Sequence, residues 1–394
     1  MMPASEDHKW MSRAIELAWL GLYTTHPNPR VGCVLVAEID GENQIIGEGY
    51  HHRAGQPHAE INALADVKKH FGDNAEAVLQ TATAYVTLEP CSHYGRTPPC
   101  SEALIKAKVN RVVAAMQDPN PQVAGAGLAM LSAAGIDVES GIMEEQAREL
   151  NPGFIKRMES GMPWVRSKQA MSLDGRTAMA SGESKWITGP DARSDVQRLR
   201  ARSSVIITGI GSIQHDDSAL TVRADELSLP EDIAQDIVTN QPLRVVVDSQ
   251  LKISSDAKIL SQPGRTIVVC LDTDENHQTA TKLSFNENIW FAPVTELGKV
   301  DLTWLLKTLA NKEQVNEVLV EAGAILCGAF TDADLIDEYW LYVAPKFMGS
   351  SARSLLDLPL SEMAQSKSLL FKQVSQVGQD LRIVAVPVAV TDKD

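Results

Sequence analysis

Apolar side chains recur every three to four positions along residues 5–22, with Ile15, Ala18, Trp19 and Leu22 on one side, and this spacing predicts an amphipathic helix. The loop His26-Pro27-Asn28-Pro29 follows, and then residues 31–36 and 45–50 read as two strands joined by a turn around Gly41. Residues 57–67 read as a helix opened by Pro57. A strand at 84–88, a helix at 101–107, a strand at 111–116 and a helix at 127–134 continue the alternation, which predicts a mostly parallel sheet covered on both faces. Residues 66–81 extend a surface helix or loop. A second alternation begins at Trp164, with strands at 205–208, 243–248, 266–271, 317–321 and 338–343 and an Arg-rich helix at 191–201. Two last strands, 369–374 and 381–386, are separated by a short Gly-containing turn and read as antiparallel. Between the two alternations lies a charged, helix-like stretch broken by Gly161 and Pro163. The expected division is residues 1–148, a linker at 149–163, and residues 164–394.

Composition narrows the class. A chain of 394 residues exceeds one ordinary core, so two domains are expected. Apolar residues at 44% and charged residues at 22% describe a soluble globular protein. Glu6, Asp7, Lys9, Arg13 and Glu16 interrupt the first helix, which therefore lacks the uncharged run of a signal peptide. No stretch reaches the apolar length of a membrane span, so the expected compartment is the cytoplasm. A formal net charge of −15 argues against a nucleic-acid partner but leaves room for a small anionic substrate held by a few local cations. Five cysteines do not suggest a disulfide framework. Cys33, Cys270 and Cys327 lie singly in apolar surroundings and read as buried thiols, whereas Cys91 and Cys100 share a Gly/Pro-rich loop.

That pair and the segment His58-Ala59-Glu60 carry the chemistry. A catalytic zinc takes three protein ligands and keeps a fourth position for water, and His58, Cys91 and Cys100 would supply the three, one ion per chain. Zinc lowers the pKa of a bound water from 15.7 to about 7. Glu60, two residues from His58, is placed to move protons from the water to a ring nitrogen and the leaving amine. The pattern predicts His58 and Glu60 on the first turn of a helix, and Cys91 at the start of the next helical region, where N–H dipoles favour a thiolate. Nucleic-acid and nucleoside deaminases usually space their two cysteines by two residues. Here Ser92-His93-Tyr94-Gly95-Arg96-Thr97-Pro98-Pro99 intervenes.

The string from Thr87-Leu88-Glu89-Pro90-Cys91 to Pro98-Pro99-Cys100, with His26-Pro27-Asn28-Pro29-Arg30-Val31-Gly32 and Gly55-Gln56-Pro57-His58-Ala59-Glu60, resembles the bifunctional deaminase/reductase family of bacterial riboflavin biosynthesis. Ser172-Leu173-Asp174-Gly175-Arg176-Thr177-Ala178, Ser184-Lys185-Trp186-Ile187-Thr188-Gly189 and Val320-Glu321-Ala322-Gly323 resemble its reductase half. The resemblance runs from about Asp7 to Val386. It implies a cytidine-deaminase-like α/β/α sandwich followed by a dihydrofolate-reductase-like α/β domain. It also implies zinc-dependent deamination of 2,5-diamino-6-ribosylamino-4(3H)-pyrimidinone 5′-phosphate, then reduction of the ribosyl to a ribityl chain by NADPH. Asn28 would meet the substrate ring, offering a donor and an acceptor, and His51, His93 and Arg96 would lie near ribose and phosphate. Ala170, Trp186, Ser212, Asp216, Ser249 and Gly323 would contact NADPH. Ser184, Arg200, Leu220, Arg223 and Glu321 would contact substrate, the two arginines suiting a phosphate. Lys168, Asp174 and Glu321 are open candidates for the proton donor of the reduction. No Gly-x-Gly-x-x-Gly follows a strand, and Thr208-Gly209-Ile210-Gly211-Ser212 is the shorter turn expected near the cofactor. His215 and Ser218 stand where the family usually has alanine and proline. The family is commonly oligomeric, and the apolar C-terminal strands could pair across subunits.

Two other readings compete. A tRNA or nucleoside deaminase with a degenerate second domain would need a basic groove or a close cysteine pair, and neither is visible. In a structural zinc protein, His58 and the two cysteines would only staple a loop.

Overall fold

The first apolar stripe is buried as helix α1 (Ala4–Trp19), but through a face rotated from the expected one: Trp10, Met11, Ala14, Leu17 and Ala18 are buried, while Trp19 is exposed. The helix stops at Trp19, so Leu22 never joins its stripe. The computed structural model describes residues 4–94 and 98–388. The chain divides into two compact units, Met1–Gly161 and Met162–Asp394.

In the first unit α1 leads into β1 (Gly32–Ile39) and β2 (Glu42–Tyr50), joined at Asp40-Gly41, both with positive φ as a tight hairpin turn requires. Then come α2 (Ala59–Phe71), α3 (Ala75–Leu79), β3 (Thr83–Val86), α4 (Cys100–Ala107) and β4 (Arg111–Ala114). The unit closes with α5 (Ala126–Ala133), β5 (Asp137–Ser140), α6 (Glu144–Leu150) and α7 (Pro152–Ser160). The strands lie in the order β2-β1-β3-β4-β5. Only β3, β4 and β5 run parallel, while β1 is antiparallel to both β2 and β3, so this sheet is mixed rather than mostly parallel. Strand β5 escapes the pattern because it is a polar, largely exposed edge. Alternation along β1 sends Leu35 to a core with Ala63, Val67, Leu104 and Leu131, and Val34 and Val36 to one with Met11, Ala14, Ala147 and Ile155. Helices therefore cover both faces, an α/β/α sandwich. Residues 149–163, expected as a linker, carry the end of α6 and all of α7, and Leu150 and Ile155 are buried.

The second unit opens with β6 (Trp164–Ser172), β7 (Arg176–Ala178), α8 (Pro190–Ala201), β8 (Val205–Gly209) and α9 (Ile210–Asp216). It continues through α10 (Glu231–Val238), β9 (Leu243–Val247), β10 (Thr266–Leu271), α11 (Asp274–Ala280), β11 (Ile289–Ala292) and α12 (Leu302–Lys312). Last come β12 (Glu317–Val320), α13 (Ala324–Asp332), β13 (Glu338–Ala344), β14 (Arg353–Ser354), β15 (Leu369–Val377) and β16 (Asp380–Pro387). Nine strands form one sheet, β11-β10-β9-β8-β12-β6-β13-β16-β15. The pairs from β11 to β13 are parallel and only the final hairpin is antiparallel, as expected for a dihydrofolate-reductase-like α/β domain. Strand β10 reads as an unbroken apolar run because both its faces are buried, whereas β6 carries Arg166, Ser167, Lys168 and Gln169 between its apolar ends.

Candidate functional site

In the first unit two helix starts and one strand end converge. Helix α2 lies close on β2 because Gly49 has no side chain: a Cβ there would meet Ala59 O and Ala63 N, each at 2.4 Å. His58 is the N-cap of α2 rather than part of its first turn, and Glu60 lies within that turn. Cys91 follows Pro90 in extended chain, and it is Cys100, not Cys91, that opens a helix, α4. The reason is the Pro98-Pro99 pair, which suits the entry to a helix better than the segment after Pro90. The Cys100 N–H still reaches Cys91 Sγ, at 3.3 Å.

His58 Nδ1 lies 3.7 Å from Cys91 Sγ and 3.3 Å from Cys100 Sγ, and all three donor atoms fall within 4.8 Å of one another. The edges of a tetrahedral site with zinc–sulfur and zinc–nitrogen bonds are about 3.5 Å, so spacing and donor chemistry both fit one zinc ion. Among the described residues this is the one such His/Cys/carboxylate group. The Cys91 thiol is held well below the usual thiol range, chiefly by its hydrogen bond with Cys100 and then by His58, against its burial. Glu60 is buried at 3% exposure, and its Oε2 has no hydrogen-bond partner. Burial first, and then the charge on Cys91, raise its carboxyl to about 6.

Asn28 is anchored by a side chain whose role the sequence left vague. His51 is buried, Pro57 O lies 3.2 Å from its Nδ1, and Asn28 Nδ2 lies 3.1 Å from its Nε2. With Nδ1 protonated, the ring donates to Pro57 and accepts from Asn28. Its burial lowers the imidazole pKa, which favours that neutral form. His93 is exposed on the loop between the cysteines, and Arg96 lies outside the described residues. A residue with no assigned role is Glu89. Its buried carboxylate accepts N–H groups from Asp118 (3.0 Å), Gly125 (2.9 Å), Gly127 (2.7 Å) and Leu128 (3.3 Å), fixing the segment beside Pro90-Cys91. The signal was an acid directly before Pro-Cys at a strand end.

In the second unit several of the expected residues, Ala170, Ser212, Asp216, Ser249, Glu321 and Gly323, lie at or just past the carboxyl ends of parallel strands, where α/β sheets bind ligands. Ala170 is near the end of β6, facing Tyr342 of β13. Ser212 and Asp216 lie in α9 after β8, and Ser249 follows β9. Glu321 and Gly323 follow β12, Gly323 as the N-cap of α13. Asn276 Nδ2 donates to the Ser249 carbonyl at 3.0 Å and to Leu271 O at 2.8 Å, a buried brace that sequence reasoning missed. Ser184 Oγ donates to Asp216 Oδ1 at 3.3 Å, joining a substrate candidate to a cofactor candidate. Trp186 is exposed, with the Arg193 guanidinium 4.5 Å over its ring. Leu220 is buried with φ 51°. His215 Nδ1 lies 2.7 Å from Gly211 O, so this departure from the family pattern ties a turn of α9 together.

The charged groups are arranged otherwise than a phosphate site would suggest. Arg200 turns its fork on Glu321 (Nε–Oε2 2.9 Å, Nη2–Oε1 2.7 Å), and its Nη1 donates to Thr221 O at 3.2 Å. Lys168 Nζ reaches the same carboxylate at 3.3 Å. Burial would raise the Glu321 carboxyl, but Arg200 and Lys168 outweigh it and hold it below the usual range. Arg223 pairs with Glu226 three residues on. Asp174 accepts from the Ser172 hydroxyl and from the N–H groups of Met348 and Gly349, which hold it at about 2.

Comparison with known proteins agrees with both halves. Residues 4–116 match the cytidine and deoxycytidylate deaminase zinc-binding region, and residues 163–383 match the RibD C-terminal domain. The chain is 49% identical over 380 residues to the riboflavin biosynthesis protein RibD of Escherichia coli K12, covering 95% of this chain and 98% of that protein. It is 48% identical to the Haemophilus influenzae protein of the same name, with 98% of each covered. The solved structure of Acinetobacter baumannii RibD superposes with a TM-score of 0.85 at 47% identity, covering 98% of this chain and all of that one. A Thermotoga maritima structure described as a diaminohydroxyphosphoribosylaminopyrimidine deaminase/5-amino-6-(5-phosphoribosylamino)uracil reductase gives 0.81 at 29% identity, covering 98% and 99%.

Proposed function

The chain belongs to the RibD family of bifunctional riboflavin-biosynthesis deaminase/reductases, and we propose that its deamination is worked by Glu60 beside a zinc ion held by His58, Cys91 and Cys100. The enzyme hydrolyses the amine from 2,5-diamino-6-ribosylamino-4(3H)-pyrimidinone 5′-phosphate and then reduces the ribosyl to a ribityl chain with NADPH. The observation that carries the site assignment is the buried, partnerless Glu60 Oε2 two residues from a triad of donors spanning no more than 4.8 Å.

Zinc, when bound, supplies the Lewis acidity that brings a water's ionisation near neutral pH. Glu60, buried two residues from His58, can both take that water's proton and return it to the ring nitrogen and the departing amine. Asn28, oriented by His51, presents its amide oxygen to the ring edge. Chelating the metal is expected to bring deamination to background and leave reduction intact, with zinc restoring the first reaction. Deamination that survives in metal-free protein would sink this assignment.

For the reduction, NADPH supplies the hydride. We assign its contacts to Ala170, Trp186, Ser212, Asp216, Ser249 and Gly323, and substrate contacts to Ser184, Leu220, Arg223, Arg200 and Glu321. Glu321 and Asp174 are both held ionised by their donors, which leaves the Lys168 ammonium as the proton source.

A second copy of the chain is the occupant we assign to the β15 edge of the large sheet. Strand β15 exposes Leu370 (55%), Phe371 (63%) and Val374 (56%), an edge that natural proteins normally cover. Phe371→Lys is expected to lower the mass seen by sedimentation equilibrium to that of one chain; an unchanged mass above one chain would place the interface elsewhere. Among the described residues no helix is long and apolar enough to cross a membrane. Thiolate ligands persist in a reducing compartment, and we place the enzyme in the cytoplasm, which cell fractionation checks.

A further inference from the structure

The segment of residues 181–189 carries Ser184 and Trp186 and has no helix or strand of its own. Met179 N–H donates to Glu183 O at 2.8 Å, and the Arg193 guanidinium lies 4.5 Å over the Trp186 ring. Lys346 Nζ donates to Trp186 O at 3.1 Å, Arg193 Nη1 donates to Thr188 O at 3.0 Å, and Ser184 Oγ donates to Asp216 at 3.3 Å. The shortest of these contacts comes from far along the chain: Gly189 N–H donates to Asp380 Oδ2 at 2.7 Å. Asp380 is 2% exposed although it begins β16, at the turn of the final hairpin. A buried carboxylate needs donors, and the start of α8, where Gly189 is the N-cap and Pro190 follows, offers both a free N–H and the positive end of the helix.

The rest of the hairpin turn is shaped for this contact. Gly378 has φ 60°, and a Cβ there would fall 2.2 Å from Asp191 Oδ2 in the first turn of α8. Two residues past Asp380, Arg382 Nη1 donates to Asp195 Oδ2 at 2.8 Å, and the Tyr342 hydroxyl donates to the same atom at 2.8 Å. Helix α8, about 18 Å long, is therefore gripped at its beginning by the hairpin, and near its end it delivers Arg200 to Glu321.

From this we infer that Asp380 is a positioning residue for the reduction. Its carboxylate fixes the Gly189 end of the 184–189 segment and, through it, presents Trp186 and Ser184 to NADPH and substrate. The inference rests on the assignment of Trp186 to the cofactor. The hairpin that carries the exposed edge β15 thus also shapes the reductase site.

Full-length zinc-loaded enzyme decides the matter. Asp380→Ala is expected to raise KM for NADPH about tenfold, the effect of losing one charge-assisted hydrogen bond, with kcat of reduction within about twofold and deamination unaltered. Asp380→Asn keeps an oxygen acceptor for the Gly189 N–H and brings KM most of the way back. The double variant Trp186→Ala/Asp380→Ala is no worse than Trp186→Ala alone, because both act through one contact. An unchanged KM in Asp380→Ala alongside a raised one in Trp186→Ala overturns the inference. So does an Asp380→Asn variant as impaired as the alanine, since bulk charge or packing would then be the cause. If Trp186→Ala itself leaves KM unchanged, the cofactor assignment of Trp186 is at fault. Amide exchange at Gly189 then decides the clamp: faster in Asp380→Ala supports it, unchanged refutes it.

Discussion

Glu60→Gln lowers the deamination rate by roughly a thousandfold, the usual worth of a positioned general acid–base, while NADPH-dependent reduction runs at the wild-type rate. Glutamine matches the shape of the side chain and keeps an acceptor, so the buried turn of α2 stays folded and zinc content is unchanged. What disappears is a group that can hold a proton between two steps. The two activities lie in separate compact units, which makes the second reaction an internal control for folding. Stopped assays following ammonia release and NADPH oxidation separate the two rates. A variant that kept more than about a tenth of the wild-type deamination rate would show that another group moves the proton.

Glu321→Gln is expected to damage the second unit both in rate and in stability. The carboxylate answers two cations, Arg200 and Lys168, whose side chains are only 12% and 14% exposed. Removing its charge takes from both cations the carboxylate they share and leaves Arg200 only the Thr221 carbonyl, a loss of about 3 kcal/mol when one member of such a shielded pair goes. Lys168, no longer held, shifts from its place, and displacement on the ångström scale costs about a hundredfold in rate. Chemical denaturation should show the transition of the reductase unit moving to lower urea while that of the deaminase unit stays. Wild-type stability in this variant would mean that water already screens the cluster.

Glu60 and Glu321 are both glutamates, the first buried and the second half-buried with a side chain 14% exposed, and their acidities move in opposite directions. Around Glu60 burial and a neighbouring thiolate dominate, so the carboxyl is raised; around Glu321 two cations outweigh burial, so it is lowered. Nothing local in the sequence separates these cases. Arg200 and Glu321 are 121 positions apart, and only the parallel packing of β8, β12 and β6 brings their elements together. For that reason the pairing of the Arg200 fork with the Glu321 carboxylate is not visible in the sequence. The zinc donors were easier to read. His58 and Glu60 are two residues apart, the cysteines share one loop, and residue type alone restricts their chemistry. Even there, the helix expected from Ser101 begins one residue earlier, at Cys100, and Cys91 stays outside any helix. The alternation of strands and helices is legible where a strand is an apolar run, as at β8, β9 and β10, but not at β6, where Arg166, Ser167, Lys168 and Gln169 interrupt the pattern, nor at the short β11. It failed at β5, whose polar edge carries no apolar period, and at α1, where the buried stripe was rotated.

Gly49 sets a limit on redesign. With α2 lying at backbone distance from β2, the wall that carries His58 and Glu60 has no slack, and even one methyl group there would collide with Ala59 and Ala63. Attempts to fit a bulkier heterocycle have to find room on the side of Asn28 instead. The rigid side of the pocket is the part that any new substrate must accept as it is.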